Sequence, residues 1–268
     1  MIKLNGRPVE IGSFPDGTVL MKQEAPANGK ATISWFYESD RELVALIYLT
    51  NHLKANGCAD IRLFMPYIPN ARQDRVKSGE DVFTLKYFAQ IINGLGFSEV
   101  SVLDPHSNVS AALIDRIAIR EPADFVQAVI RRIVEMEGEE PTMFYPDEGA
   151  SKRYSGMVPL PYTFGIKKRD WKTGQIQGLD AAGEVESIAG KNVLIVDDIC
   201  SRGGTFYHSA KKLKELGAKN VYLFISHCEK SIMEGEVLTS GLIKRVFTTD
   251  SIFRLNHEMI EVMRCEEL

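Results

Sequence analysis

Cysteine is scarce in this chain of 268 residues. Its four cysteines, Cys58, Cys200, Cys228 and Cys265, stand far apart with no Cys-x-x-Cys or Cys/His spacing, so neither a disulfide frame nor a zinc site is indicated. An excess of positive charge is also lacking: 32 Lys and Arg face 36 Asp and Glu, a net charge of -4. Such a field gives no general attraction to nucleic acid or to an anionic membrane, so any phosphate must be held by a local site. No apolar run reaches the length of a membrane span, and residues 1–5 lack the basic and apolar regions of a secretory signal. A cytoplasmic location is therefore expected, with neither a membrane nor a nucleic acid as partner. There is no low-complexity linker. What is present, 44% apolar and 25% charged residues, is ordinary for a globular protein with enough chain for two modest cores. Two domains are expected, residues 1–120 and 121–268.

The pattern along the chain is that of an α/β protein. Residues 2–36 alternate apolar and polar positions between the turn signals Asn5-Gly6, Pro15-Asp16-Gly17 and Asn28-Gly29, and read as short antiparallel strands. Glu38-Ser39-Asp40 should cap a helix over 41–55, with Leu43, Leu46, Ile47, Leu49 and Leu53 as its apolar stripe. Strands at 61–65 and 100–103 flank a helix at 83–95, so strand, loop and helix alternate as in a parallel sheet. The second half repeats the plan, with helices at 122–136 and 206–216 and strands at 142–145, 193–196, 221–226 and 245–248. A long polar segment, 166–190, precedes the strand at 193–196.

Residues 193–196 form an uninterrupted apolar run suited to a central strand covered on both faces. Asp197 and Asp198 follow where that strand should leave the sheet, and Ser201, Arg202, Gly203, Gly204 and Thr205 then lead into a helix. The carboxyl edge of a parallel sheet is where ligands bind. Glycines there let main-chain N–H groups approach a phosphate, and the helix N-terminus adds partial positive charge. The paired acids suit ribose hydroxyls, or a Mg²⁺ arriving with the sugar phosphate. Cys200 beside this loop has no histidine near it in sequence and is a weak candidate for a nucleophile.

Val-Leu-Ile-Val-Asp-Asp-Ile followed by Ser-Arg-Gly-Gly-Thr resembles the signature of the type I phosphoribosyltransferase fold, in which the acids hold ribose hydroxyls and the loop holds the 5-phosphate. The wider set, Phe14-Pro-Asp16-Gly17, Ala71-Arg72-Gln73-Asp74-Arg75, Asp104-Pro-His106, Pro146-Asp147-Glu-Gly149, Lys167-Lys168-Arg169 and 197–205, recurs in this order in ribose-phosphate pyrophosphokinases. That resemblance covers nearly the whole chain and implies two phosphoribosyltransferase-like domains, each a mainly parallel sheet flanked by helices. It implies ATP held by Arg72, Gln73 and Asp74 in the N-terminal domain. Phe14 and Asp16 would reach the adenine of a neighbouring subunit, which makes a homo-oligomer the expected assembly. His106 would lie at the ATP phosphates and their Mg²⁺, with Asp147 at a metal and substrate edge. Lys167 and Arg169 would close on the triphosphate from a mobile loop, with Lys168 able to stand in the place of Lys167. Asp197, Asp198 and 201–205 would hold the ribose phosphate. The implied reaction is pyrophosphoryl transfer from ATP to the 1-hydroxyl of ribose 5-phosphate, releasing AMP without a covalent enzyme intermediate.

Some positions depart from the family pattern. Thr18 stands where a glutamate is usual, Glu80 where an arginine is usual, and the residues after His106 lack the usual Gln-x-x-Gly-Phe-Phe. Regulation by ADP or phosphate is accordingly in question. Ser201-Arg202-Gly203-Gly204-Thr205 replaces Asp-Thr-Ala-Gly-Thr, which opens a larger acceptor such as ADP-ribose, with Arg202 reaching a second phosphate. Parts of the pattern also suit a phosphoribosyltransferase of base salvage, or a regulatory subunit of a synthetase that has kept the fold without turnover.

Overall fold

A computed structural model describes residues 1–169 and 176–266, with the side chains of 167–169 and 176–179 not described. The protein divides into two compact units, Met1–Glu121 and Pro122–Leu268.

In the first unit the strands are β1 (Ile2–Leu4), β2 (Arg7–Pro8), β3 (Ile11–Ser13), β4 (Val19–Met21), β5 (Lys30–Trp35), β6 (Asp60–Phe64), β7 (Glu99–Leu103) and β8 (Ile117–Arg120). The helices are α1 (Arg41–Ala55), α2 (Thr84–Gly94) and α3 (Asn108–Leu113). Six strands form one sheet in the order β2-β1-β5-β6-β7-β8, and β3 with β4 forms a separate hairpin. The antiparallel reading of residues 2–36 holds for β1 to β4. It holds for β5 as well, which pairs antiparallel with β1; on its other side β5 is parallel to β6, because α1 carries the chain back to start β6 in the same direction. The α1 stripe (Leu46, Leu49, Leu53) and the α2 stripe (Leu85, Phe88, Ala89, Ile92) are buried in a single core with Ile33, Leu63 and Val102. Each large apolar side chain buried in this way is worth roughly 1.5–3 kcal/mol.

Capping of α1 differs from expectation. Asp40 makes no side-chain cap, and its carboxylate accepts from Tyr37 Oη at 3.0 Å instead. The acid that matters is Glu42, buried on the first turn, whose Oε2 accepts from Trp35 Nε1 (3.0 Å) and from the Glu38 main-chain N–H (2.8 Å). A sequence pattern shows which residues can cap, but the pull of a buried indole decides which one is used.

The second unit contains α4 (Ala123–Glu137), β9 (Thr142–Tyr145), α5 (Glu148–Tyr154), β10 (Tyr162–Arg169), β11 (Ile176–Gly183), β12 (Asn192–Cys200), α6 (Gly204–Glu215), β13 (Asn220–Cys228), β14 (Arg245–Thr249) and β15 (Ile260–Met263). The sheet order is β11-β10-β9-β12-β13-β14-β15, parallel throughout except that β11 runs antiparallel to β10. As expected, β12 is central, fourth of the seven strands. The polar segment 166–190 is not all loop, since its first part belongs to the β10–β11 hairpin. At the amino end of these strands Glu137, the last residue of α4, ties helix to sheet. Its carboxylate accepts from Tyr222 Oη (2.6 Å), Asn220 Nδ2 (3.1 Å) and the Lys244 ammonium. The Lys244 hydrogen bond, then that of Tyr222, holds its pKa down at about 2.

Both units are thus mainly parallel sheets flanked by helices. No helix among the described residues is long and apolar enough to cross a membrane.

Candidate active site

At the carboxyl end of the second sheet, β12 does not stop before the paired acids. It runs on to Cys200, pairing Asp197 with Ile225 and Ile199 with His227, so Asp197 and Asp198 are strand residues rather than the start of a loop. The pull of β13 explains this, because a long partner strand keeps both chains extended past the apolar run. Each acid turns one oxygen to the next main-chain N–H: Asp197 Oδ1 to Asp198 (3.0 Å) and Asp198 Oδ1 to Ile199 (2.9 Å). The second oxygen of Asp198 faces Arg153 Nη1 at 3.4 Å, an ion pair in which the Asp198 side chain is 10% exposed.

After Cys200 the chain turns through Ser201, Arg202 and Gly203 into α6. Gly203 adopts φ +79°, and a Cβ there would lie 2.3 Å from Val237 Cγ2, so only glycine fits. Its carbonyl accepts from the N–H groups of Phe206 and Tyr207, both at 2.9 Å. The N–H groups of Gly204 and Thr205 lie in the first turn, where a helix offers them no acceptor of its own. Main-chain donors at a helix N-terminus are the kind of group that suits an anion. Arg202 pairs with Glu234 (Nη2 to Oε2, 2.9 Å), both well exposed. Cys200 is buried, and its hydrogen bond with Cys228, together with burial, pushes the thiol pKa far up, which removes it as a nucleophile.

Asp147 ends the loop after β9 and caps α5, accepting from the Ala150 N–H at 3.0 Å. Lys167, Lys168 and Arg169 lie on β10 and not in a loop. Beyond Phe164 the described pairings of β10 are to β11 alone, Lys167 opposite Leu179 and Lys168 opposite Gly178, so the basic residues ride on a two-stranded ribbon. Their side chains lie outside the described residues.

In the first unit, the loops after the neighbouring parallel strands β6 and β7 carry the other candidates. Asn70 (φ +65°) and Asp104 (φ +43°) are left-handed although neither is glycine. Each stands just before a motif, Ala71-Arg72-Gln73-Asp74 and Pro105-His106, and such conformations persist where the surroundings impose them. Gln73 is turned by Thr84, whose hydroxyl donates to Gln73 Oε1 at 2.8 Å. That leaves the amide N–H₂ as the donating face. Asp74 is buried, and the Arg75 Nε bond at 2.8 Å holds its pKa below the usual carboxylate range, with the nearby charge of His106 acting in the same direction. Phe14 stands 49% exposed at the β3–β4 turn. Asp16 in that turn accepts from the Thr18 hydroxyl (2.7 Å) and N–H (3.0 Å), which lower its pKa.

No three His, Cys, Asp or Glu side chains among the described residues gather into a metal site. The donor set fits a Mg²⁺ that arrives on phosphates, keeps waters and asks the protein for one or two carboxylates, as Asp147, Asp197 or Asp198 can offer.

Sequence reasoning overlooked Arg153, Thr84 and residues 229–237. Arg153 had a readable signal, an Asp147 N-cap opening a short helix, whereas Thr84 and 229–237 reach the site only through space.

The carboxyl-edge loop and the glycine turn into α6 define a phosphoribosyltransferase-type α/β protein, and the phosphoribosyl transferase domain profile matches residues 112–259. The ribose-phosphate pyrophosphokinase of Thermococcus kodakarensis is 32% identical over 247 residues, covering 89% of this chain and 81% of that one. The enzyme of the same name from Shewanella oneidensis is 25% identical over 96% of this chain and 82% of its own. The crystal structure of phosphoribosylpyrophosphate synthetase from Mycobacterium smegmatis shares the fold, with a TM-score of 0.77 at 19% identity, covering 96% of this chain and 86% of that one. This chain belongs to the ribose-phosphate pyrophosphokinase family.

Proposed function

We propose that this protein is an enzyme that moves the β,γ-pyrophosphoryl group of ATP to the 1-hydroxyl of ribose 5-phosphate. The hydroxyl oxygen bonds to the β-phosphorus, and the bond from that phosphorus to the bridging oxygen breaks. AMP leaves with the electron pair, and the hydroxyl proton passes to solvent. The reading is carried by the coexistence in one chain of the glycine turn at 201–205 and the 71–75 loop, in which Thr84 holds Gln73 with its amide donors presented. A base-salvage transferase has no task for the second loop.

In this reading Gln73, Arg72, Asp74 and His106 bind the nucleotide, and Asp197 and Asp198 orient the ribose hydroxyls. The turn at Gly203 to Thr205 takes the 5-phosphate. Lys167 and Arg169 meet the charge that builds on the phosphates in the transition state. Asp147 and His106 are the residues that would help to hold a Mg²⁺ arriving on the phosphates of ATP, and the metal would supply neutralisation of that charge. The exposed Phe14 and the turn around Asp16 support a homo-oligomer in which this hairpin serves a neighbouring subunit. Arg202 is engaged by Glu234 in an exposed ion pair, which supports ribose 5-phosphate over ADP-ribose as the acceptor.

The test is incubation with ATP, Mg²⁺ and ribose 5-phosphate, with AMP followed by ³¹P NMR. Equimolar AMP and a 1-pyrophosphorylated sugar are expected, and absence of AMP with ribose 5-phosphate overturns the reading.

A further inference from the structure

Residues 229–237 lie against the turn that the proposed function gives to the 5-phosphate, and they grip it at successive points. The Glu229 N–H donates to the Cys200 carbonyl at 2.8 Å. Ser231 Oγ lies 3.1 Å from Ser201 Oγ and donates to Glu229 Oε2 at 3.2 Å. Glu234 takes Arg202. Gly235 passes directly under the loop, since a Cβ there would stand 1.8 Å from the Arg202 carbonyl oxygen. Val237, fully buried, fills the space that a side chain on Gly203 would need.

Proton counting gives this contact a direction. A serine hydroxyl has one proton, and a carboxylate oxygen only accepts. Ser231 spends its proton on Glu229 and therefore offers Ser201 lone pairs alone. Ser201 must then be the donor between them, and its proton points away from any phosphate in the turn. A phosphate dianion needs donors, so in this arrangement the Ser201 hydroxyl has nothing to give it.

We infer that Ser231 and Glu229 are positioning residues that fix the turn by engaging Ser201, so that the Ser201 hydroxyl serves the turn's shape and is not a ligand of the 5-phosphate. The inference rests on the assignment of this turn to the ribose phosphate.

A double-mutant cycle on the full chain tests it, using Ser201→Ala, Ser231→Ala and the pair, with steady-state kinetics in ATP, Mg²⁺ and ribose 5-phosphate. Each single change should raise KM for ribose 5-phosphate by about 2–10-fold, as loss of a neutral hydrogen bond does. The pair should be no worse than either single, because both remove the same contact. KM for ATP and kcat should stay within about twofold, and Ser231→Thr, which keeps the hydroxyl, should restore KM. A rise of ~50-fold or more for Ser201→Ala with Ser231→Ala near wild type would make Ser201 a direct phosphate ligand and overturn the inference. So would singles whose effects multiply in the pair. If the wild type makes no AMP from ribose 5-phosphate, the site assignment itself falls, an outcome distinct from an active wild type with uncoupled serines.

Discussion

The two units build the candidate loops at the ends of their parallel strands by opposite means. In the second unit the turn into α6 is set by main chain and packing: a left-handed glycine against Val237, and Gly235 lying under the Arg202 carbonyl. In the first unit the left-handed positions of the loops after β6 and β7 are Asn70 and Asp104, and those loops are fixed by side-chain hydrogen bonds such as Thr84 to Gln73 and Arg75 to Asp74. A loop shaped by packing has no graded response to substitution, because a methyl group either fits or displaces the chain. One shaped by side-chain bonds can lose them singly and keep its course. The first manner suits a ligand held by main-chain donors, the second a ligand recognised group by group.

The largest expected effect lies in neither loop. Lys167→Ala or Arg169→Ala on the β10 ribbon should lower kcat by at least ~100-fold while changing KM for ribose 5-phosphate little, as for groups that act in the transition state. An equal rise in that KM would make them ground-state ligands. Next comes Gly235→Ala, which should raise KM for ribose 5-phosphate by about 100-fold through displacement of the turn, with KM for ATP kept. A mild, several-fold change would break the contrast drawn above. Thr84→Val should release Gln73 and raise KM for ATP by about 3–10-fold, leaving ribose 5-phosphate unaffected. A Thr84→Val protein that cannot bind ATP at all would show the first unit's loop to be as indivisible as the second's. The smallest effect on activity is expected at the far edge of the second sheet. The folded pKa of Glu137 is depressed to about 2 from 4.5, so its contribution to stability is present above pH 4.5 and is lost as pH falls to about 2. Melting curves of wild type and Glu137→Gln should converge over that interval, with kcat at neutral pH unchanged; a gap that stays constant would remove the carboxylate charge from the clamp.

Much of the fold is legible in the sequence. The long strands and helices follow from apolar runs and helical stripes, and the central place of β12 follows from its unbroken apolar stretch. Hidden elements are those whose stability is not local. The α5 helix has only seven residues and contains Gly149, and it stands because Asp147 caps it and Tyr154 is buried. The β10–β11 hairpin is too polar to read as strands, and β10 is anchored by parallel pairing with β9 from Tyr162 to Phe164. The extension of β12 through two aspartates runs against strand propensity and is imposed by β13. Among the candidate residues, Asp197, Asp198 and Gly203 can be singled out because their spacing carries chemistry, and Gln73 through the resemblance that 71–75 carries. Ser231 and Glu229 cannot, since thirty residues separate Ser231 from Ser201 and nothing in either stretch announces the other.

The register of β12 on β13 bears on the order in which the chain folds. These strands pair from Asn192↔Asn220 to Cys200↔Cys228 and are joined by α6 alone, a short closure, whereas β12 pairs with β9 across some fifty residues, Val193 with Thr142. Loop-closure entropy favours the shorter connection, so the β12–α6–β13 unit should assemble before β9 and its hairpin dock. The turn at Gly203 lies within that early unit. In pulsed hydrogen-exchange labelling during refolding, amides of 193–199 and 221–227 should therefore gain protection ahead of those of 142–145, so that the turn proposed to hold the phosphate is made while the sheet is still incomplete.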